Sequence, residues 1–296
     1  MIKAALARLR QGHRTMAFPH GPPPPLPERF RGRPRIDASK CPPGCADCVG
    51  ACPTEAITLS DGRPRIDLGR CLFCTDCVEA CPEQAITYSR DYRLAVLNRQ
   101  DLIIDETNVL KLATSLNKEM RRLFGRSLKL RQVSAGGCNA CEADTNVLTT
   151  IGWDLSRFGI QFVASPRHAD GLLITGTVPR NMELALRKTY EAVPEPKIVI
   201  AVGACAISGG PFAGHMEVLD GASSIVPVDL FIPGCPPHPL TILDGLLRLL
   251  GRRGGKHDVP VGLDDTDISK VTRGSDTDGF TRPETAIETG NAESER

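Results

Sequence analysis

A small α+β domain followed by an α/β domain built on a parallel sheet is the architecture this chain predicts. Three observations predict it: a unit of about thirty residues that occurs twice, a later alternation of strand-like and helix-like runs, and cysteines set in loops of both regions. With 296 residues, 41% of them hydrophobic, the chain is long enough for two domains and one sizeable core.

The duplicated unit comes first. RGRPRIDASKCPPGCADCVGACPTEAITL at 31–59 returns as DGRPRIDLGRCLFCTDCVEACPEQAITY at 61–88. Each half reads as a short strand (Pro34-Arg35-Ile36 or Pro64-Arg65-Ile66), a cysteine loop, a turn of helix and a second strand (Ala56-Ile57-Thr58 or Ala85-Ile86-Thr87). A half this small buries too little apolar surface to fold alone, so the two halves must be tied together.

The cysteines provide the tie. Eight of the twelve fall in two runs, Cys41, Cys45, Cys48, Cys52 and Cys71, Cys74, Cys77, Cys81, each followed by proline. The second run is C-x2-C-x2-C-x3-C-P, the bacterial-type two-cluster ferredoxin spacing, in which the fourth thiolate ligates the other cluster. The first 4Fe-4S cluster would therefore use Cys41, Cys45, Cys48 and Cys81, and the second Cys71, Cys74, Cys77 and Cys52. One residue is inserted between Cys41 and Cys45; Pro42-Pro43-Gly44 forms a tight bulge that returns Cys45 to its place, and if Cys41 does not ligate, a three-iron form results. Disulfides are not expected, because MIKAALARLRQGHR lacks the apolar stretch of a secretory leader. Structural zinc prefers two separated pairs to a doubled run of four. Metal binding and folding are one event in such a region.

Downstream, strand-like runs at 128–133, 161–164, 171–175, 197–202 and 229–232 alternate with helical stretches at 143–150, 182–191 and 240–250, after a helix expected at 108–122. That alternation predicts a parallel sheet with helices on both faces, and functional groups at the carboxyl ends of its strands. Cys138 and Cys141 follow the first strand in SAGGCNACEAD, Cys205 the fourth in AVGACAISGG, and Cys235 the fifth in FIPGCPPHP. Four thiols at one edge would make a third 4Fe-4S site; buried structural cysteines with a zinc-like C-x2-C are the alternative.

The net charge of +1 gives no footprint for nucleic acid, and it hides an asymmetry. Residues 1–40 carry nine Lys/Arg against two acids, and 257–296 four against ten. The expected organisation is a basic arm and proline-rich linker (1–28), the two-cluster domain (29–95), a helical connector (96–127), the sheet domain (128–253) and an acidic disordered tail (254–296). Ile2, Ala5, Leu6 and Leu9 share one helical face of the arm, suited to docking on a membrane-embedded partner or left solvated. The longest apolar stretch, Ile198 to Ile207, is far short of the roughly twenty residues of a membrane span.

The spacing from Cys141 through Cys205 to Cys235, with GACAISGGPF and VPVDLFIPGCPPHP around it, resembles the 20 kDa cluster-bearing subunit of respiratory complex I and the homologous small subunit of energy-converting (group 4) NiFe hydrogenases, over about residues 120–251. CNACE is close to the CNGCE of the hydrogenase branch, where complex I members have two adjacent cysteines. Residues 18 to about 102, including FRGRPRID and DYRLAVLNRQDL, look like the separate two-cluster ferredoxin subunit of formate hydrogenlyase complexes, so the chain resembles both subunits fused.

The resemblance implies a flavodoxin-like sheet domain, the third cluster, and a location on the cytoplasmic face of the membrane through partner subunits. It implies a hydrogenase-type large subunit as electron acceptor, membrane-embedded subunits beside it, and a ferredoxin or a formate-oxidising subunit as donor. Electron delivery to quinone, or to a large subunit that has lost nickel and iron, is the alternative; Ala140 in place of the usual glycine and Ala143-Asp144 after Glu142 leave that choice open. A non-enzymatic cluster carrier, a third class, would need labile exposed ligation rather than closed sets of four. In the resembled family the glutamate at Glu142 faces the large-subunit site, where it would relay protons; a helix-capping role is its bland reading. His168, His215 and His238 are read as hydrogen-bonding residues, with His238 best placed to tune a cluster.

Overall fold

The repeated X-Pro-Arg-Ile and Ala-Ile-Thr motifs form strands because their β-branched residues alternate toward a shared core. The computed structural model describes residues 2–12, 14–107 and 110–252. An exposed helix, α1 (Ile2–Gln11), opens it. The duplicated region contains β1 (Pro34–Ile36), α2 (Asp47–Gly50), β2 (Ile57–Ser60), β3 (Arg63–Asp67), α3 (Asp76–Glu79) and β4 (Ile86–Tyr88). β1 pairs antiparallel with β4, Ile36 opposite Ile86, while β2 and β3 pair through the Asp61-Gly62 hairpin turn. The first strand of one half thus pairs with the last strand of the other, so neither half can form without its partner. A short strand not anticipated, β5 (Ile103–Ile104), adds to β3.

The second region contains α4 (Lys118–Phe124), β6 (Leu128–Ser134), α5 (Ala140–Val147), β7 (Ile160–Phe162), β8 (Gly171–Thr175), α6 (Arg180–Ala192), β9 (Ile198–Val202), α7 (Ala204–Ser208), β10 (Leu230–Ile232) and α8 (Pro239–Leu249). All sheet pairings are parallel and the order is β7-β6-β8-β9-β10, which is the 2-1-3-4-5 doubly wound order with its switch point between β6 and β8. Every residue of β8 and β9 is buried, as expected of strands covered on both faces. Alternate residues serve opposite layers: Leu173, Ile198 and Ile200 pack with Leu243 and Leu246 of α8, and Leu172, Ile174 and Val199 with Leu186 of α6. α8 is buried along its whole length and encloses an Asp244–Arg248 ion pair at 2.6 Å.

The helix expected at 108–122 begins only at Lys118, where the Asn117 side chain accepts from the Met120 N–H at 2.8 Å. Asn108 and Val109 lie outside the described residues. The stretch before Lys118 is not helical, because tertiary hydrogen bonds claim its backbone: Ala113 N–H donates to Ala95 O and Leu116 N–H to Leu249 O. The expected tail at 254–296 also lies outside the described residues.

Much of the arm is tied down. Arg157 donates to the carbonyls of Met16 and Phe18, Arg90 to those of Leu26 and Pro27, and the Phe18 ring is fully buried beside Tyr92. One hydrophobic cluster runs from Ile66, Leu102 and Ile104 to Ala201, Ile207 and Phe231, so the duplicated region and the sheet region share a core. Val96 exchanges backbone hydrogen bonds with Phe231 at the free edge of β10, Arg99 clasps both oxygens of Asp67 (2.8 and 2.6 Å), and Ser208 Oγ donates to Gly69 O at 2.9 Å.

Candidate metal centres

The inserted residue of the first cysteine run is absorbed in a turn. Cys45 N–H donates to Pro42 O at 3.1 Å, and Gly44 sits at φ +78, the type II arrangement that needs glycine at its third position. Cys41, Cys45, Cys48 and Cys81 then line a single cavity with Pro42, Leu59, Pro82 and Ile86. Burial raises the Cys41 thiol, and the nearby Cys81 and Cys45 raise it further; Cys48 is raised in the same way.

Cys71, Cys74, Cys77 and Cys52 form a second, more deeply buried group. Burial pushes Cys71 up to about 11, and burial followed by the charges of Cys71, Cys74 and Cys52 pushes Cys77 to about 12. Thiols this reluctant to ionise are protonated without metal, so metal binding must displace their protons. The surroundings follow the repeat. Ala56 N–H donates to Cys52 Sγ at 3.2 Å and Ala85 N–H to Cys81 Sγ at 3.3 Å, with Glu55 and Gln84 at φ 50 and 51 just before them. Phe73 N–H donates to Cys71 Sγ at 3.3 Å, and the Tyr88 hydroxyl lies 3.7 Å from the same sulfur.

The third group assembles across the sheet: Cys138 precedes α5, Cys141 lies in it, Cys205 lies in α7, and Cys235 follows β10. Burial, then Cys235 and Cys138, push Cys205 up to about 11, and burial, then Cys205, Glu142, Cys235 and Cys138, raise Cys141. Gly203, at φ +91, makes the approach possible, since a Cβ there would stand 2.5 Å from Cys141 Sγ. Cys138 and Cys235 are exposed. Cys235 and Cys74 line one cleft with Arg31, Phe73, Asp144 and His238; Cys235, though solvent-accessible, is partly desolvated by that surround, which raises it, and Cys138 and Cys74 raise it further.

The cavity enclosed by the four thiols of the first group suits an iron–sulfur cubane better than a single metal ion. Among the described residues, no three His, Cys, Asp or Glu side chains gather closely enough to hold one metal ion. A single zinc with bonds of about 2.3 Å would draw its sulfurs to about 3.8 Å. A cubane binds each thiolate to a different iron and sets the four farther apart, around a cavity.

Glu142 is buried at the β6/β8 switch point. Its Oε1 accepts from Ser134 Oγ at the end of β6 and from Thr175 Oγ1 at the end of β8, each at 2.6 Å. Burial raises its pKa, but these two hydroxyls and its own N–H outweigh burial and hold it below the ordinary 4.5. His238 caps α8, its Nδ1 accepting from Leu240 N–H, with its ring between Phe30 and Trp153. His215 accepts from Glu217 N–H, and His168 sits in a short turn ahead of β8. The sequence reading passed over Ser134, Thr175 and Tyr88. Tyr88 could have been found by aligning the two halves, where it stands against Leu59; Ser134 and Thr175 carry no local signal.

Residues 138–249 match the family described as NADH ubiquinone oxidoreductase, 20 Kd subunit, and residues 33–82 the 4Fe-4S dicluster domain. Formate hydrogenlyase subunit 7 of Escherichia coli is 42% identical over 150 residues, covering 51% of this chain and 57% of that protein. The probable membrane-bound hydrogenase subunit mbhJ of Pyrococcus furiosus is 41% identical, covering 45% of this chain and 79% of that protein. An NADH-quinone oxidoreductase subunit of Bacteroides thetaiotaomicron is 38% identical, covering 50% of this chain and 81% of that protein. The chain therefore spans little more than half of the first relative and about four-fifths of the other two.

Proposed function

This chain belongs to the 20 kDa subunit family of NADH ubiquinone oxidoreductase, with a 4Fe-4S dicluster domain ahead of it, and on that premise we propose that it is the electron-relay subunit of a membrane-associated, hydrogenase-type complex. Three 4Fe-4S clusters, bound by the three groups of thiols, would supply one-electron transfer. The first group is Cys41, Cys45, Cys48 and Cys81, the second Cys71, Cys74, Cys77 and Cys52, and the third Cys138, Cys141, Cys205 and Cys235. The domain limits follow the composition: 29–95 for the two-cluster region and 128–253 for the sheet region, joined by 96–127.

The observation that carries this reading is the cleft shared by Cys74 and Cys235, which brings the second group next to the third. None of the first group's thiols lines that cleft; they line a cavity of their own, which supports an outer station for that group.

The exposure of Cys138 and Cys235 supports an acceptor that covers the third group: a hydrogenase-type large subunit, with membrane-embedded subunits beyond it. The first group would receive electrons from a ferredoxin or a formate-oxidising subunit. No helix among the described residues is long and apolar enough to cross a membrane. Peripheral attachment on the cytoplasmic face would come through those partners. Glu142, held ionised beside Cys141, would accept a proton on the path to the large-subunit site. The likeness to an NADH-quinone oxidoreductase subunit supports a second reading, delivery to quinone.

The test is anaerobic purification of the whole complex. Hydrogen evolution with reduced ferredoxin, and two C-x2-C motifs in the copurifying large subunit, are expected; quinone reduction with neither motif would replace the first reading by the second.

A further inference from the structure

The two halves of the duplicated region are not chemically equivalent. Ala56-Ile57-Thr58-Leu59 corresponds to Ala85-Ile86-Thr87-Tyr88, and the symmetry of the backbone N–H donors at Cys52 and Cys81 stops at the last residue of each stretch. Leu59 lines the first cavity with hydrocarbon, whereas the Tyr88 hydroxyl stands 3.7 Å from Cys71 Sγ. Tyr88 is held there by its pairing with Pro34 and by the Phe73 ring, centroids 6.0 Å apart, and its side chain is buried. Either atom of the Tyr88–Cys71 pair can donate in a free thiol, but a ligating cysteine is a thiolate without a proton, so the hydroxyl must be the donor.

We infer that the Tyr88 hydroxyl raises the reduction potential of the site formed by Cys71, Cys74, Cys77 and Cys52 and thereby makes the second half the electron acceptor of the pair. The inference rests on the reading that these thiols hold a 4Fe-4S cluster. Adding an electron increases the negative charge on the sulfurs, and a donor aimed at one of them stabilises the reduced form more than the oxidised one. Burial of Cys71 and Cys77 works the other way, disfavouring the added charge, and the hydroxyl adds to the Phe73 and Ala56 N–H donors in offsetting it. In a buried pocket a single hydroxyl also counts for more than it would in water. One electron leaves the Cys41 site, which is oxidised, and arrives at the Cys71 site, which is reduced; no bond breaks and no proton moves. The direction leads to the Cys74–Cys235 cleft.

Tyr88→Phe keeps the ring and its packing on Phe73 while removing the donor. In the full chain, titrated anaerobically and followed by electron paramagnetic resonance, the equilibrium between the two sites should move about tenfold toward the first, a fall of about 59 mV for a one-electron couple, with iron content unchanged. Parent protein grown with fluorotyrosine, a stronger donor, should shift the same site in the opposite direction, and this arm does not depend on the variant folding. A change below about twofold, about 18 mV, in either arm with iron retained would overturn the inference and leave the cluster assignment standing. Parent protein with fewer than two ferredoxin-type clusters by iron and spin count would overturn both.

Discussion

Cys74 and Cys235 line one cleft, close enough that Cys74 contributes to raising the Cys235 thiol, although one belongs to the duplicated region and the other follows the last strand of the parallel sheet. The two regions share apolar packing and the Ser208–Gly69 hydrogen bond, and the connector ties to both, Val96 to Phe231 and Arg99 to Asp67. A relay needs its stations held at fixed separation, and a common core provides that rigidity better than a flexible linker would.

Three cubanes require roughly twelve iron and twelve sulfide per chain after anaerobic purification. Chemical analysis checks this. Iron near eight together with bound zinc would remove the third group from the relay.

Cys74→Ser should cost the second site its metal, roughly four iron per chain, and should loosen residues 31–93 as a whole, because the crossed ligands staple both halves. Limited proteolysis and circular dichroism read the outcome. Unchanged protection of that region would show that the β1–β4 and β2–β3 pairings hold it without metal.

Gly203→Ala places a methyl 2.5 Å from Cys141 Sγ at a backbone φ of +91. The strain is on the order of 1–3 kcal/mol, and the thiol must move. The expected result is selective loss of roughly four iron with the two sites of the duplicated region intact, seen by iron analysis and electron paramagnetic resonance.

Glu142→Gln preserves shape and leaves an oxygen to accept from Ser134 and Thr175. If the carboxylate passes protons, turnover of the assembled complex should fall about a hundredfold or more with all metal retained. Activity within about twofold of the parent would assign Glu142 to holding the β6/β8 switch point. The sign of its pH dependence is set by its lowered pKa: its contribution to stability is present above the ordinary 4.5 and is lost as pH falls through the lower folded value. Acid unfolding of parent and variant should therefore converge at low pH.

The class of fold was legible in the sequence, because its signals are local. Cysteine spacing is local, and so are the strand and helix periods, which is why the five parallel strands appear within a residue or two of their expected places and the Pro42-Pro43-Gly44 insertion forms its expected turn. What no local pattern carried was that Glu142 is clasped by hydroxyls from β6 and β8, and that the arm around Phe18 is a buried strap rather than a free linker. The tertiary structure also decided against helix before Lys118, where hydrogen bonds to Ala95 and Leu249 outweigh a weak local preference. These are contacts between residues far apart in the chain, and their energy depends on burial and geometry that no local pattern carries.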